Sequence, residues 1–164
     1  MNNFSKYHFL HLFWLLPIYF FSMLGYQAMV YSGISQTYGQ GASYVADVID
    51  FDIKQIAAQS NGYVVLDFQT DEGEQIRERL ALPVQMAQVL MDSERIPVRY
   101  DPASFRKVVI VSTFELQQNV VRVNMAVSLI GGLATAVVAW FASKFALRRI
   151  REGEPEMQIE RMDR

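Results

Sequence analysis

The two histidines of the chain are the side chains best suited to cofactor chemistry. His8 and His11 lie three residues apart, so on a helix they would share one face. An imidazole at the edge of a membrane can ligate haem or contact a quinone. A haem held between helices needs a second axial ligand, however, and the second apolar segment of the chain contains no histidine. We therefore predict that both histidines belong to an interfacial aromatic belt and that the chain binds no cofactor.

Carboxylates offer the next candidate, a metal site. Asp50 and Asp52 alternate along a predicted strand and would present two carboxylates on one face to a cation. A metal site needs several converging ligands, and no histidine-rich or glutamate-rich segment supplies the others. The acidic run Asp71–Glu74 lacks the twelve-residue ligand spacing of a calcium loop. We predict no metal: the two aspartates lie on a solvated strand face, and the acidic run forms a hairpin turn.

Catalysis has little support in the sequence. It contains no Ser–His–Asp set, no Walker loop and no G-x-G-x-x-G turn. It has no cysteine, which excludes a disulfide, a thiolate nucleophile and a cysteine-ligated iron–sulfur cluster. Between Gly33 and Val121, twelve acidic residues oppose seven basic ones, and this excess of negative charge argues against nucleic acid as a partner. We predict that the protein is not an enzyme.

The elements that would position these residues begin with an apolar segment. No residue between Lys6 and Asp47 is charged, and His11–Tyr31 is long enough to cross a hydrocarbon core of about 30 Å as a helix. A cleaved signal peptide is the alternative, but the apolar run exceeds a typical signal core and no A-x-A-like cleavage site follows it. We predict a first transmembrane helix over residues 11–31.

A second apolar segment, Val123–Leu147, is also long enough to span a membrane. Basic residues lie at and after its last turn, and positive charge beside a span tends to stay in the cytoplasm, although Arg122 at the other end weighs slightly against this orientation. The topology-setting residues are Lys144, Arg148, Arg149 and Arg151. The predicted layout is a cytoplasmic N-terminus (1–10), a first span (11–31), an extracytoplasmic domain with connectors (32–121), a second span (122–147) and a cytoplasmic tail (148–164).

Alternating polar and apolar residues between the spans predict a β domain. After a Gly/Ser/Gln-rich connector at Ser32–Ser43, the predicted strands are Ser43–Ile53, Tyr63–Thr70, Glu74–Leu82, Arg95–Tyr100 and Arg106–Thr113. Turns are predicted at Asn61-Gly62 and Asp71–Gly73, and a short helix at Pro83–Ser93. The apolar face of the first strand is predicted to comprise Val45, Ile49, Phe51 and Ile53.

The expected fold class is therefore an α+β membrane protein, in which two transmembrane helices flank a small antiparallel β-sheet or partly open barrel. Phe114–Arg122 contains no helix breaker and is expected to extend the second span as a helix. The tail Glu152–Arg164 mixes charges of both signs and is predicted to be disordered. The predicted core consists of Val64, Leu66, Phe68, Ile76, Leu80, Val98 and Ile110.

The order of these elements resembles that of a known family. Asn61–Phe68, the Asp71–Gly73 turn and above all Ile96–Pro102 (IPVRYDP) are similar to the bacterial Domain of Unknown Function 3592 family. In that family a V-x-Y-x-P turn closes a small β domain flanked by membrane helices. The chain has Pro102-Ala103-Ser104 where the family often has Asn-Pro after its first proline. The resemblance implies the architecture and no activity, since none is established for the family.

Small residues form two neighbouring stripes on the second predicted span, and such stripes let helix backbones approach closely. The first span of the same chain could pack there through Ser22 and Gly25. Because that span is bulky and aromatic, we expect it to fill one stripe and to leave the other for a partner helix. The predicted helix-packing interface consists of Ser128, Gly131, Gly132, Thr135, Ala136 and Ala139.

These observations favour a non-catalytic accessory or scaffolding subunit of a larger bacterial membrane complex. Its expected partners are other integral membrane subunits and membrane lipid, with a homo-oligomer left open. Its expected place is the inner (plasma) membrane, with the domain on the periplasmic side. One alternative is an extracytoplasmic sensor or ligand-binding module, although the predicted cytoplasmic segments are too short for an output domain. The other is an uncharacterised membrane enzyme, supported only by scattered carboxylates.

Overall fold

Two long helices dominate the part of the chain that the structure, a computed structural model, describes: residues 6–56, 59–83, 86, 90 and 93–152. A 3₁₀ helix over Lys6–Trp14 leads into α1 (Leu15–Gln40), and a 3₁₀ turn over Val111–Thr113 leads into α2 (Phe114–Glu152). Both helices are long and apolar enough to cross a membrane, with mean hydropathies of 1.5 and 2.0 over their most apolar windows. The start of α2 at Phe114 confirms the expected helical extension of the second span.

Five strands form one antiparallel sheet within the described residues. They are β1 (Ala42–Ile56), β2 (Gln59–Gln69), β3 (Gln75–Pro83), β4 (Arg95–Tyr100) and β5 (Val108–Ile110). Their order is β3-β2-β1-β4-β5, so β3 and β5 are the edges. The long β1 lies at the centre because its first half pairs with β4 and its second half with β2. The α+β class and the antiparallel sheet are thus confirmed.

The first strand does not face the core as predicted, because it contains a β-bulge. Its register against β2 shifts at Ile49, which is an extra residue in β1. An extra residue inverts the in–out alternation of a strand. Ahead of the bulge Ala46 rather than Val45 is buried, whereas beyond it Phe51 packs on the core as predicted. The prediction was therefore wrong for Val45 and Ile49, and the facing of Ile53 lies outside the described residues.

The predicted connector at Ser32–Ser43 is also wrong, because α1 continues through it to Gln40. Its polar composition suggested a loop, but Gly33, Ile34 and Thr37 are buried on one side of the helix. Packing of that side outweighs the weak helix propensities of Gly, Ser and Thr.

Two further boundaries differ from prediction. Asn61-Gly62 does not form a turn but lies inside β2, where Gly62 pairs with Ile53 of β1. The predicted last strand ends early, at Ile110, because the chain turns through a 3₁₀ segment into α2. Both errors come from local signals that a longer-range pairing or a packed helix overrides.

The hairpin between β2 and β3 is confirmed. The Thr70 amide donates to the Glu74 carbonyl and the Gly73 amide to the Thr70 carbonyl, each at 2.9 Å. Gly73 has a φ of 85°, a conformation that only glycine adopts at no steric cost. Most of the predicted helix at Pro83–Ser93 and the predicted disordered tail beyond Glu152 lie outside the described residues.

The predicted core is confirmed. Five of its residues are buried, and Ile76 and Leu80 are half-buried and pack against the same cluster. The chain divides into two compact units, which we call the helix-pair unit (Met1–Leu24 with Ala126–Arg164) and the sheet unit (Gly25–Met125). The sheet unit contains the whole sheet, the C-terminal part of α1 and the N-terminal part of α2.

Candidate functional site

In the helix-pair unit, the predicted packing interface of α2 meets aromatic rings of α1. A Cβ added at Gly131 would lie 2.8 Å from Cε1 of Phe20, and one added at Gly132 would lie 3.2 Å from Cε1 of Phe21. Both distances are shorter than ordinary contact, so each glycine leaves the space into which a ring packs. Contrary to prediction, the first helix does not pack on α2 through Gly25, because a Cβ added there would have nothing within 4 Å. The first helix of the chain itself therefore covers this part of the interface.

Aromatic rings of α1 contact both small-residue stripes of α2 in the helix-pair unit. Phe20 reaches the stripe of Gly131, and Phe21 reaches the neighbouring stripe of Gly132. Adjacent rings on α1 thus reach different stripes at these two glycines, whereas the sequence had predicted that this bulky helix fills only one stripe. A partner helix on this face remains a prediction, and it would need surface that the rings already cover. All six predicted interface residues are buried or half-buried: Ser128, Gly131, Gly132, Thr135, Ala136 and Ala139.

A small polar cluster joins the N-terminal 3₁₀ helix to α2 in the same unit. Trp14 Nε1 donates a hydrogen bond to Ser143 Oγ at 3.0 Å, and His11 Nδ1 lies 3.3 Å from the same oxygen. One hydroxyl therefore serves two side chains of the facing segment. Hydrogen bonds of this kind between apolar helices add to their packing. The sequence predicted an interfacial aromatic belt here but not these contacts with Ser143.

Large apolar side chains cover the outside of the helix-pair unit. Only 6% of the most apolar window of the first helix and 17% of that of the second are buried, whereas the core helix of a soluble protein would be mostly buried. Exposed apolar area in water costs about 25 cal/mol per Å², and lipid removes that cost. The large apolar residues of α2 in this unit that are more than half exposed are Val127, Ile130, Leu133, Val137, Val138, Phe141 and Leu147.

The predicted topology-setting residues lie exposed near the C-terminal end of α2: Lys144, Arg148, Arg149 and Arg151. Lys144 Nζ lies 4.1 Å from the centroid of the Trp140 ring, a cation–π contact. Arg148 Nε lies 2.8 Å from Glu152 Oε1. Cations at this end of a helix also interact favourably with its dipole. Contacts within α2 and the dipole of the helix therefore favour basic residues at this end, in addition to the membrane orientation predicted from the sequence.

In the sheet unit, the last turns of α1 bond to the loop between β4 and β5. Thr37 Oγ1 donates to the Arg106 carbonyl, and the buried Ser104 Oγ donates to the Gly33 carbonyl at 3.0 Å. A Cβ added at Gly33 would lie 2.8 Å from the backbone nitrogen of Arg106. Helix and loop backbones thus approach closely, and side-chain hydroxyls satisfy the carbonyl groups that the contact removes from water.

The IPVRYDP segment supplies part of this junction. The Tyr100 side chain packs on the core, and burial raises the pKa of its phenol above the ordinary value. Asp101 Oδ1 accepts a hydrogen bond from the backbone N–H two residues later, and its Oδ2 accepts one from Gln36 Nε2 at 2.9 Å. The Asp-Pro turn is therefore anchored to α1.

The two edges of the sheet curl toward an apolar cavity of about 200 Å³. Leu82 of β3 and Val108 of β5 line it, together with Val30 of α1 and Val121 of α2. The two edge strands are not paired with each other. The polar members of the lining are Arg106 and Gln117.

The outer face of the sheet carries the carboxylates that were candidates for cation binding. Asp50 accepts a hydrogen bond from the Tyr63 hydroxyl at 3.0 Å, and this bond raises the pKa of the Tyr63 phenol above its ordinary value. The Arg79 guanidinium lies over the Tyr63 ring, 3.7 Å from its centroid. Within the described residues, no group of three or more His, Asp or Glu side chains is placed to hold a metal ion.

The chain is thus an α+β protein with a curled antiparallel sheet and two helices able to cross a membrane. Comparison with family models, with curated proteins and with solved structures finds no match. The resemblance to the Domain of Unknown Function 3592 family therefore stays a prediction that rests on the quoted motifs.

Proposed function

We propose that the protein is a two-span bacterial membrane protein, with its β domain outside the cytoplasm, that acts as a non-catalytic accessory or scaffolding subunit of a larger complex. The observation that carries the proposal is the arrangement of the helix-pair unit. The small residues of the predicted α2 interface are buried or half-buried, and many large apolar residues of the unit are exposed. Lipid tails are as apolar as leucine, so this arrangement gains close helix contact inside and loses nothing outside.

The exposed basic residues of α2 support the proposed orientation. Arg148, Arg149 and Arg151 lie beyond the apolar part of the helix, and positive charge there favours a cytoplasmic C-terminus. An even number of spans then places the N-terminus on the same side. The acidic sheet unit lies between the spans in the sequence and is translocated in this scheme, as long loops can be whatever their charge.

An exposed apolar patch on the sheet supports a partner for the β domain. The bulge leaves Val45 and Ile49 facing outward, 63% and 46% exposed. Val45 lies opposite Pro97 of β4, which is also exposed. Asp47 separates Ile49 from this pair, so the patch consists of Val45 and Pro97, and neighbouring exposed apolar side chains of this kind support contact with another protein. We assign the contact with the rest of the complex to this patch.

The orientation can be tested by cysteine labelling, because the native chain has no cysteine. Asp71→Cys lies in the exposed hairpin turn and should react with a membrane-impermeant maleimide in intact cells, after permeabilisation of an outer membrane where one is present. Asn3→Cys is the matched control and should react only after lysis. The reverse pattern would contradict the proposed orientation.

The subunit role can be tested by native gel migration of protein from its own membranes. Val45→Lys should release the protein from a larger complex while leaving it in the membrane fraction. Ala103→Lys, exposed in the loop between β4 and β5, introduces the same charge away from the patch and should leave migration unchanged. A wild-type protein that migrates as a lone monomer would contradict the subunit role.

A second candidate function is a ligand-binding module outside the cytoplasm. The cavity of about 200 Å³ between the sheet edges is the observation that favours it.

A further inference from the structure

We propose that this cavity holds part of one acyl chain of a membrane phospholipid, and that Arg106 binds the lipid phosphate. The inference rests on the proposed membrane insertion. It adds to the subunit role a lipid site that is separate from the Val45 patch.

The lining suits a hydrocarbon chain. Leu80 and Leu82 of one edge strand and Val108 and Ile110 of the other line the cavity. A cavity of about 200 Å³ is smaller than the 300–1,000 Å³ typical of sites that enclose a whole small ligand. It therefore fits a segment of a thin, flexible molecule better than a compact soluble metabolite.

The place of the cavity in the chain points to lipid as the source of that hydrocarbon. Its lining includes Val30 and Val121. The predicted spans end at Tyr31 and begin again at residue 122, so both valines lie at the boundary of the proposed membrane segments. An acyl chain is available at that boundary at high local concentration. A soluble apolar ligand would have to cross water to reach it.

Arg106 is the basic residue of the cavity lining within the described residues, and its guanidinium has no hydrogen-bond or ion-pair partner among them. Arg106 is exposed, and its backbone N–H and carbonyl, rather than its side chain, make the hydrogen bonds seen there. Gln117 donates to Thr113 Oγ1 at 2.8 Å, so its amide nitrogen already has an acceptor. A guanidinium beside an apolar cavity matches a molecule with an anionic head and an apolar tail, since arginine binds phosphate through two parallel hydrogen bonds.

Native mass spectrometry of the full chain tests the head-group contact. Protein purified in a maltoside detergent and mixed with phosphatidylglycerol should carry one lipid per chain. Arg106→Gln should weaken this binding about tenfold, the loss expected for a charge-assisted hydrogen bond. Arg95→Gln removes an equal charge from the same unit, at a residue that pairs with Asp47, and should leave the binding unchanged. If both variants lost phospholipid binding equally, the lipid would be attracted by positive charge in general, and the proposal would be overturned.

A second variant tests the tail. Val120 lines the cavity from an exposed position on α2, so Val120→Trp should fill the space without disturbing the buried core. We expect loss of the lipid although Arg106 is intact, and no binding of glycerol phosphate to the wild type. Binding of glycerol phosphate as strong as that of the lipid would mean an anion site without a tail site. Lipid retained by Val120→Trp, or a segment of a copurifying protein found in the cavity, would also overturn the proposal.

Membrane insertion is measured separately, by resistance of the chain to alkaline carbonate extraction. A chain that resists extraction but carries no phospholipid overturns the lipid site and leaves the proposed function standing. A chain that carbonate releases overturns the proposed function itself.

Discussion

The two units of the protein use the same pair of helices in different ways. In the helix-pair unit, Gly131 of α2 makes room for the rotatable ring of Phe20. In the sheet unit, Gly33 of α1 makes room for the backbone of Arg106. A ring can shift by rotation about its side-chain bonds, whereas a backbone shift moves its whole loop. We therefore expect close packing between the two apolar helices to adjust to an added methyl group, and close packing at the sheet not to adjust.

The largest effect is therefore expected from Gly33→Ala. The new methyl would lie 2.8 Å from a backbone nitrogen, and overpacking of this kind costs about 1–3 kcal/mol, more than the helix propensity gained. Thermal unfolding followed by circular dichroism in detergent should show a lower midpoint. Gly39→Ala is the matched control on the same helix, because nothing lies within 4 Å of its added Cβ. It should stabilise α1 by about 0.5–1 kcal/mol. If the Gly33→Ala protein were as stable as the control, packing in the sheet unit would be no more rigid than packing in the helix-pair unit.

Gly131→Ala should have a smaller effect. Its methyl would lie 2.8 Å from the edge of the Phe20 ring, which can rotate away, so overpacking and the gain in helix propensity should cancel to within about 1 kcal/mol. Gly25→Ala on α1, at the first residue of the sheet unit, is the control for helix propensity, since its added Cβ meets nothing within 4 Å. The same thermal assay in detergent measures both variants. A loss as large as that of Gly33→Ala would mean that the helix pair is packed as rigidly as the sheet unit.

Ser143→Ala tests how much the polar contacts of the helix-pair unit contribute to its stability. It removes the acceptor of the Trp14 hydrogen bond and the neighbour of His11. Hydrogen bonds between membrane helices contribute about 0.6 kcal/mol on average, so we expect a small loss of stability. A double-mutant cycle with Trp14→Phe isolates the pair. Additive losses in the cycle would show that the two side chains are adjacent without stabilising the helix pair.

The smallest effect concerns the outer face of the sheet. The hydrogen bond to Asp50 raises the pKa of the Tyr63 phenol above its model-peptide value of 10.0, so Asp50→Asn should lower that pKa. Because the folded pKa is the higher one, the stabilisation is present below pH 10 and is lost as the pH rises through the folded value. Carbon-13 resonance of the tyrosine ring, followed against pH, measures the shift. An unchanged titration in Asp50→Asn would show that the hydrogen bond is absent in solution.

Much of the sheet could be predicted from the sequence because its signals are local. The alternation in Tyr63–Gln69, the Asp71–Gly73 turn and the alternation that follows identify a hairpin without any knowledge of the rest of the chain. The buried state of Leu66 and Val98 follows from the same alternation. Apolar length alone identified both long helices, since each apolar run is long enough for a helix that could cross a membrane.

Other features depend on contacts between residues far apart in the sequence. A single extra residue at Ile49 inverts the facing of β1, and only pairing with β2 shows where that residue lies. The cavity is lined from both helices and both edge strands, so no segment carries its signature. The sequence alone determined which segments are apolar, alternating or turning, because those properties belong to neighbouring residues. The tertiary structure decided which ring fills which stripe and which edges share a cavity, because close packing selects partners by shape as well as by apolar character.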